Sequence, residues 1–452
     1  MQPIYNNKQR SALELALLVI FAISLLVAAI VSVIRNKIPM SPPIKLDFAA
    51  ITASVPQGRQ WISLNEWRYS KARNNFVLAS KIVQNKLVIA FAELTYILAP
   101  DITDPVKFLE NNISKRPTLK IADKGVTTRD GIEVYWCYAT AETIPGGYYF
   151  TAAKLPAGRM LQINIFAYRD EALAKKMFDA VMKGLSFEKN QPLEDGLNFV
   201  NNLKQKKLPT IILDETGPSM AKVYLVNKTV PIDREVPKKN IFDSFFVERF
   251  SFSNDPSKPP LHCKSFFMRN APDNITSYTL FQSDLSFDTF TWSAKHTTLQ
   301  GSPIAETLIE LDRSGLLSST NIHAEPTTAT IRPGPLAVPE ILADMIATQL
   351  LNYQAETIYI DLIFANGQMA PAQFSTVKPE NLNANTKDIA SAVKIQFLGF
   401  PDNSLTIYFD KNNKIITKIE NIGGMVVGHR SNAKNLINAF PEWTEQIKEF
   451  LK

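Results

Sequence analysis

Two Ser-x-x-Lys phrases, Ser219-Met220-Ala221-Lys222 and Ser431-Asn432-Ala433-Lys434, are the nearest this chain comes to a nucleophile with its base. On a helix that spacing sets the lysine one turn past the serine, where it can take the hydroxyl proton. Neither Ser-Asp-Asn nor Lys-Thr-Gly accompanies them, so chance among many serines and lysines accounts for both. Ser431 reads better as the cap of a helix after Arg430. Gly217-Pro218-Ser219-Met220-Ala221 misses a nucleophile elbow by its final alanine. The histidines His262, His296, His323 and His429 include no i, i+4 zinc pair, and His323-Ala324-Glu325 lacks the Pro-Cys-x-x-Cys that a zinc deaminase needs. With 17 glycines in the chain there is no phosphate-cradling loop.

Two carboxylates fall inside strand-like runs. Asp361 lies in Ile358 to Phe364, where Ile358, Ile360, Leu362 and Phe364 take one face and leave Asp361 beside Tyr359 on the other. Glu93 shares a face with Ile89 and Phe91, which suits an edge position open to water better than a perturbed carboxylate. Cys137 and Cys263 read as small buried hydrophobes in different domains; an inter-domain disulfide is the less favoured alternative. No residue is assigned a catalytic, cofactor-binding or metal-ligating role, no cofactor is expected, and the chain reads as non-enzymatic.

The element most clearly written in the sequence is a membrane helix. Residues 1–10 are a short polar tail, and Leu15 to Ile34 is a run of twenty residues without a charge. Twenty helical residues span ~30 Å, the thickness of a bilayer's hydrocarbon core. Ser11 and Glu14 form a capping pair, so the transmembrane helix is set at 11–34. Ser24, Ala28 and Ser32 fall on one face, a spacing used in packed membrane helices but common by chance. A cleaved signal peptide is disfavoured by the length of the run and by the poor cleavage context at Ser32 to Arg35. Residues 35–45, with Pro39, Pro42 and Pro43, read as a Pro-rich tether. Lys8 and Arg10 nearly balance Arg35, Lys37 and Lys45, and a short stub before a large domain favours export of the body.

About 400 residues follow, from a chain 45% hydrophobic and 20% charged, enough for two or three cored domains. A net charge of +6 without a long Lys/Arg cluster excludes a nucleic-acid partner. The order of strands and helices is α+β, with an N-terminal transmembrane helix followed by two domains, each an antiparallel sheet covered by helices on one side. The first domain is set at 46–190. It has a hairpin turning at Gln84-Asn85, a helix at Pro105 to Ser114 capped by Asp104, and a closing helix at Asp170 to Gly184. Its order, with the strand Arg159 to Asn164 leading into that helix and Phe187, resembles the Mog1/PsbP-like fold. The resemblance implies binding or assembly roles and carries over no functional residue.

Residues 191–217 read as a connector with one helix on Leu193, Leu197, Val200 and Leu203. The second domain, 218–452, is expected to be α+β. Phe242 to Phe252 is an aromatic-rich strand, Pro339 to Tyr353 a helix, and Asn366-Gly367 a hairpin turn. Ala392 to Leu398, Leu405 to Asp410, Ile415 to Glu420 and Met425 to Arg430 read as a β-meander half-barrel, its open face covered by helices at Asn432 to Phe440 and Glu442 to Leu451. The phrase Leu405 to Ile416 is similar to sheets of the LolA/LolB lipoprotein-carrier type, which implies an apolar ligand. Three functions follow. The favoured one is a single-pass protein of the cytoplasmic (inner) membrane, its bulk periplasmic or extracytoplasmic, that binds a protein partner or assembles a membrane complex. The alternatives are a lipid or apolar-ligand binding module and a hydrolase with an unrecognised site.

Overall fold

The computed structural model describes residues 17–24, 37–70, 74–141, 145–205, 219–227, 242–253, 255–270, 274–322, 327–377, 388–400, 403–421 and 425–451. Residues 17–24 are helical, with Leu17, Leu18, Val19, Ile20, Phe21 and Ile23 exposed. The rest of the expected span, including Ser11, Glu14, Ala28 and Ser32, lies outside the described residues. Among the described residues no helix is long and apolar enough to cross a membrane.

The fold is mostly β, with a few helices on antiparallel sheets. In the first unit the main sheet runs Ile62–Ser63, Asn75–Gln84, Leu87–Leu98, Arg159–Tyr168, Gly146–Leu155, Ile132–Ala141, Leu119–Arg129, with Arg68–Ser70 also on Asn75–Gln84. Asn85 and Lys86 both have positive φ, as a two-residue hairpin turn of this hand requires. Asp104 caps Pro105–Ser114 by accepting from the backbone N–H of Val106 and Lys107. The two helices do not share a side, contrary to expectation. Glu171–Lys183 packs Ala174, Met177 and Val181 onto the face bearing Ala92, Leu94 and Ile163. Pro105–Ser114 packs Leu109 and Ile113 onto the opposite face, at Cys137, Ala152 and Met160. Strand alternation feeds both faces with apolar residues, so each needs a cover.

A small sheet of Ile44–Leu46, Ile51–Ala53 and Ser186–Phe187 closes this unit. The expected tether is docked rather than free from residue 39 onward. The Ser41 N–H donates to Val55 O and the Gln57 N–H to Pro39 O, both at 2.8 Å. Prolines keep this segment extended, and an extended segment finds its partners in a neighbouring strand.

The second unit is one sheet of fifteen strands. In spatial order they are Thr327–Ile331, Leu317–Asn321, Pro303–Leu311, Phe290–Thr298, Ile275–Ser283, Leu261–Arg269, Phe242–Phe252, Ser219–Asn227, Met425–Ser431, Ile415–Asn421, Ser404–Phe409, Ser391–Phe397, Met369–Val377, Thr357–Ile363 and Ala337–Pro339. Among the described residues only the last pairing is parallel. The sheet curls until its ends meet: Thr307 Oγ1 donates to Ala365 O at 2.7 Å and Ser319 Oγ to Asn366 O at 3.3 Å, across the turn at Gly367.

The meander is thus four strands of a fifteen-stranded, barrel-like sheet rather than a self-contained half-barrel, and its helical cover lies elsewhere. Ala433–Ala439 and Thr444–Leu451 pack Leu436 and Ile447 outside the sheet, on Val223, Leu225, Phe245 and Val247. The inside is filled by Ala343–Leu350, after a 3-10 turn at Glu340–Leu342, and by the end of Gln191–Gln205. The last of these is the helix expected in the connector, and it is not a bare link. Leu193 is in the first unit's core while Phe199, Val200 and Leu203 are in the barrel's. At Gly196 a Cβ would stand 2.1 Å from Tyr359 O, so only glycine lets helix and strand lie this close.

Candidate functional site

Ladder register stacks the inward residues of five neighbouring strands into layers, because residues directly opposite one another face the same side. Phe250, Cys263, Phe281, Trp292 and Ile309 pair in sequence across Phe242–Phe252, Leu261–Arg269, Ile275–Ser283, Phe290–Thr298 and Pro303–Leu311. They are almost fully buried and form an apolar floor. One step up, Lys222, Glu248, Ser265, Thr279 and Ala294 make a polar layer. Above that come Tyr224, Phe246, Phe267, Ser277 and His296, then Val226, Ser244, Arg269 and Ile275. These upper layers surround a cavity of about 610 Å³ that also reaches Trp292, Glu340, Asp344, Lys418 and Glu420. That volume falls within the range of small-molecule sites.

Charges are concentrated where the cavity meets the floor. Lys222 Nζ is 3.4 Å from Glu248 Oε2 and 3.3 Å from Asp344 Oδ2, all three side chains being buried. Lys418 Nζ reaches Asp344 Oδ1 at 2.6 Å and lies 4.8 Å from the centre of the Tyr224 ring. Asp344 sits in the first turn of Ala343–Leu350, where a negative charge also suits the helix dipole. Burial works against ionising Asp344, but Lys418 and Lys222 overcome it and hold the carboxyl at about 2. Burial disfavours charge on both lysines as well, and Asp344 together with Glu248 and Tyr224 outweighs it, so both are raised.

Glu340 and Glu420 lack such partners. Burial, then the neighbouring Glu420, pushes Glu340 up to about 7, with Lys418 opposing. Burial raises Glu420 too, Lys418 again opposing. Glu420 is open to solvent and yet ringed by protein, because it faces the cavity. Glu248 is raised chiefly by burial, against Lys222. Among the described residues the buried Trp292 Nε1 at the cavity has no hydrogen-bond partner, and Glu248 Oε2 has only its 3.4 Å contact with Lys222 Nζ.

The residues singled out in the sequence fall elsewhere or take other roles. Ser219 and Lys222 share a strand rather than a helix, and Lys222 serves the ion cluster. Ser431 ends a strand, and the cap of the following helix is Asn432, accepting from Asn435 N–H. Cys137 and Cys263 are free thiols in separate cores. His296 lines the cavity and burial lowers its pKa, as it does for His429, while His323 lies outside the described residues. Among the described residues no three His, Cys, Asp or Glu groups are placed to hold a metal ion.

Asp361 needs the largest correction. It is buried, because the face it shares with Tyr359 is covered by the first unit, and it accepts a hydrogen bond from Arg159 Nη2 across that junction. The Arg159 guanidinium also lies 5.7 Å from the centre of the Tyr96 ring. Burial and then Asp361 push the nearby Tyr69 hydroxyl up to about 12, and Tyr69 donates to Met369 O at 3.2 Å. Glu93 is not at an edge: its strand lies between Asn75–Gln84 and Arg159–Tyr168. It is half-buried in a groove of about 1120 Å³ with Ile89, Phe91, Tyr148, Phe150 and Phe166. At one end Ile62 and Leu87 are 60% and 69% exposed.

No known protein family matches the chain, and no curated protein matches it. Several solved structures are similar to parts of it, three of which follow. A β-barrel-like protein of the domain of unknown function DUF1849 from Brucella abortus is 11% identical, with a TM-score of 0.34 over 48% of this chain and 96% of that one. The PsbP of Synechocystis sp. PCC 6803 is 10% identical, with a TM-score of 0.25 over 34% of this chain and 94% of that one. LpqN, involved in cell envelope biogenesis of Mycobacterium tuberculosis, is 16% identical, with a TM-score of 0.21 over the same shares. The PsbP resemblance drawn from the sequence has a distant counterpart here. Likenesses at this distance assign no function.

Proposed function

We propose that this is a non-catalytic, membrane-anchored envelope protein whose barrel holds a small ligand with an apolar body. The observation that carries the reading is the layered lumen, in which aromatic walls at Tyr224, Phe246, Phe267 and Trp292 and a few convergent polar groups surround about 610 Å³. Sites of that make-up are the usual hosts of small molecules. The anchor is supported by the uncharged run Leu15 to Ile34. The test is native mass spectrometry of the full chain, beside a Val226→Trp variant that narrows the cavity. A co-purified small molecule, absent from the variant, supports the reading; full-chain protein that neither retains nor takes up any apolar compound overturns it.

A protein-partner role is the second reading. It is favoured by the groove on the first unit, whose apolar walls have no covering element at Ile62 and Leu87 among the described residues. Leu87→Asp would abolish such an association, measured by crosslinking in the native membrane, and leave ligand retention intact.

A further inference from the structure

We infer that the molecule held in the barrel carries a cationic nitrogen, taken between Glu340 and Glu420, beside an apolar body. This rests on the lumen being a ligand site and names the chemistry it selects. Four carboxylates, Glu248, Glu340, Asp344 and Glu420, line the cavity. The two lysines of the cluster are committed: Lys222 to Glu248 and Asp344, Lys418 to Asp344. Arg269 at the rim, and Arg430 beside Tyr224, already have interactions within the protein. His296 is disfavoured as a cation by burial. Among the described residues Glu340 and Glu420 are thus left facing the cavity without an ion pair or a hydrogen bond, and Glu420 raises the cost of charge on Glu340.

An anionic ligand would add charge of the same sign to that pair, and a neutral one would leave both carboxylates uncompensated. An ammonium group supplies positive charge and donors to both. A metal ion is the poorer fit, since among the described residues no three ligating groups converge. Trp292 is an independent sign of a bound molecule. Its side chain is 2% exposed, it lines the cavity, and its Nε1–H has no acceptor. A buried indole N–H usually has a partner, so the ligand offers an acceptor atom there.

The probes are octylamine, 1-octanol and octanoate, equal in chain and different in head, titrated against the full chain by calorimetry at pH 8. Octylamine binding about tenfold or more tighter than octanol, as one charge-assisted hydrogen bond allows, with octanoate weakest, is the expected result. In Glu340→Gln/Glu420→Gln the preference for the amine over the alcohol is lost. If the double variant fails to fold by circular dichroism, Glu420→Gln alone carries the test through a partial loss of the preference. Equal binding of amine and alcohol, or a preference unchanged in the variants, overturns the cationic ligand and leaves the lumen reading standing. Failure of all three probes to bind overturns both.

Discussion

At the residue scale, the ionisable groups inside the barrel pull stability in opposite directions with pH. Glu340 has its pKa raised to about 7 by burial and Glu420, with Asp344 and Glu248 adding and Lys418 opposing. The folded state therefore takes up a proton there that the unfolded chain does not. That contribution is complete below the ordinary glutamate range and is lost as pH rises through about 7. Asp344, held at about 2, has the reverse sign: its contribution is present above the ordinary aspartate range and is lost as pH falls toward about 2. Glu340→Gln should thus melt with the parent at pH 4 and above it at pH 8, by about 2 kcal/mol, a value reduced for partial exposure. A thermal melt series against pH reads this out, and equal melting at both pH values would refute the assignment. A second residue-scale case is Arg159 with Asp361. Asp361→Asn alone leaves a buried guanidinium unpaired and should cost about 3 kcal/mol, whereas Arg159→Met/Asp361→Leu should come within about 1 kcal/mol of the parent. Urea unfolding of the three proteins decides it. Alternation had correctly set Asp361 on the face of Tyr359; it carries no information on what covers that face. The same limit hid Lys222 and Glu248, since each strand here is covered on both sides and alternation does not say which side is the lumen.

At the element scale, the hydrophobic stripe Leu193, Leu197, Val200 and Leu203 marked the helix Gln191–Gln205 in the sequence, and its partners were not marked. Its place is fixed by a residue with no side chain. Gly196→Val would force the helix off the carbonyl of Tyr359 and should destabilise the chain by more than about 2 kcal/mol, with Gly196→Ala intermediate. Chemical denaturation of the pair gives the ranking, and a neutral valine would mean that the helix packs elsewhere in solution. The hairpin turns at Asn85 and Gly367 were legible because turn chemistry is local. The fifteen-strand sheet was not, because pairing Ser219–Asn227 with Met425–Ser431 joins strands nearly two hundred residues apart. No local pattern encodes that register.

At the scale of the whole molecule, the two units are joined by more than a link. Leu336 and Tyr359 of the second unit are in the first unit's core, and Phe48 stacks edge-on against Tyr359. Calorimetry of residues 38–452 should therefore show one endotherm, and two separable transitions would mean that this shared core is dispensable. The place of contact has a kinetic consequence. The sheet's terminal strands, Thr327–Ile331 and Ala337–Pro339, are near neighbours in the chain, and the segment between them acts as a leash no longer than about 20 Å at full stretch. The first unit grips that leash at Arg332, whose Nε is 2.9 Å from Asp101, and at Leu336, and it grips the adjacent strand at Asp361. It is a clasp over the slit along which the barrel would open sideways. Leu336→Ala should shorten the residence time of a bound molecule severalfold while its capture rate through the mouth holds, seen by stopped-flow release of a fluorescent amine. On the proposed ligand-binding reading, the barrel's grip is then a timer, set by a side chain outside the cavity lining.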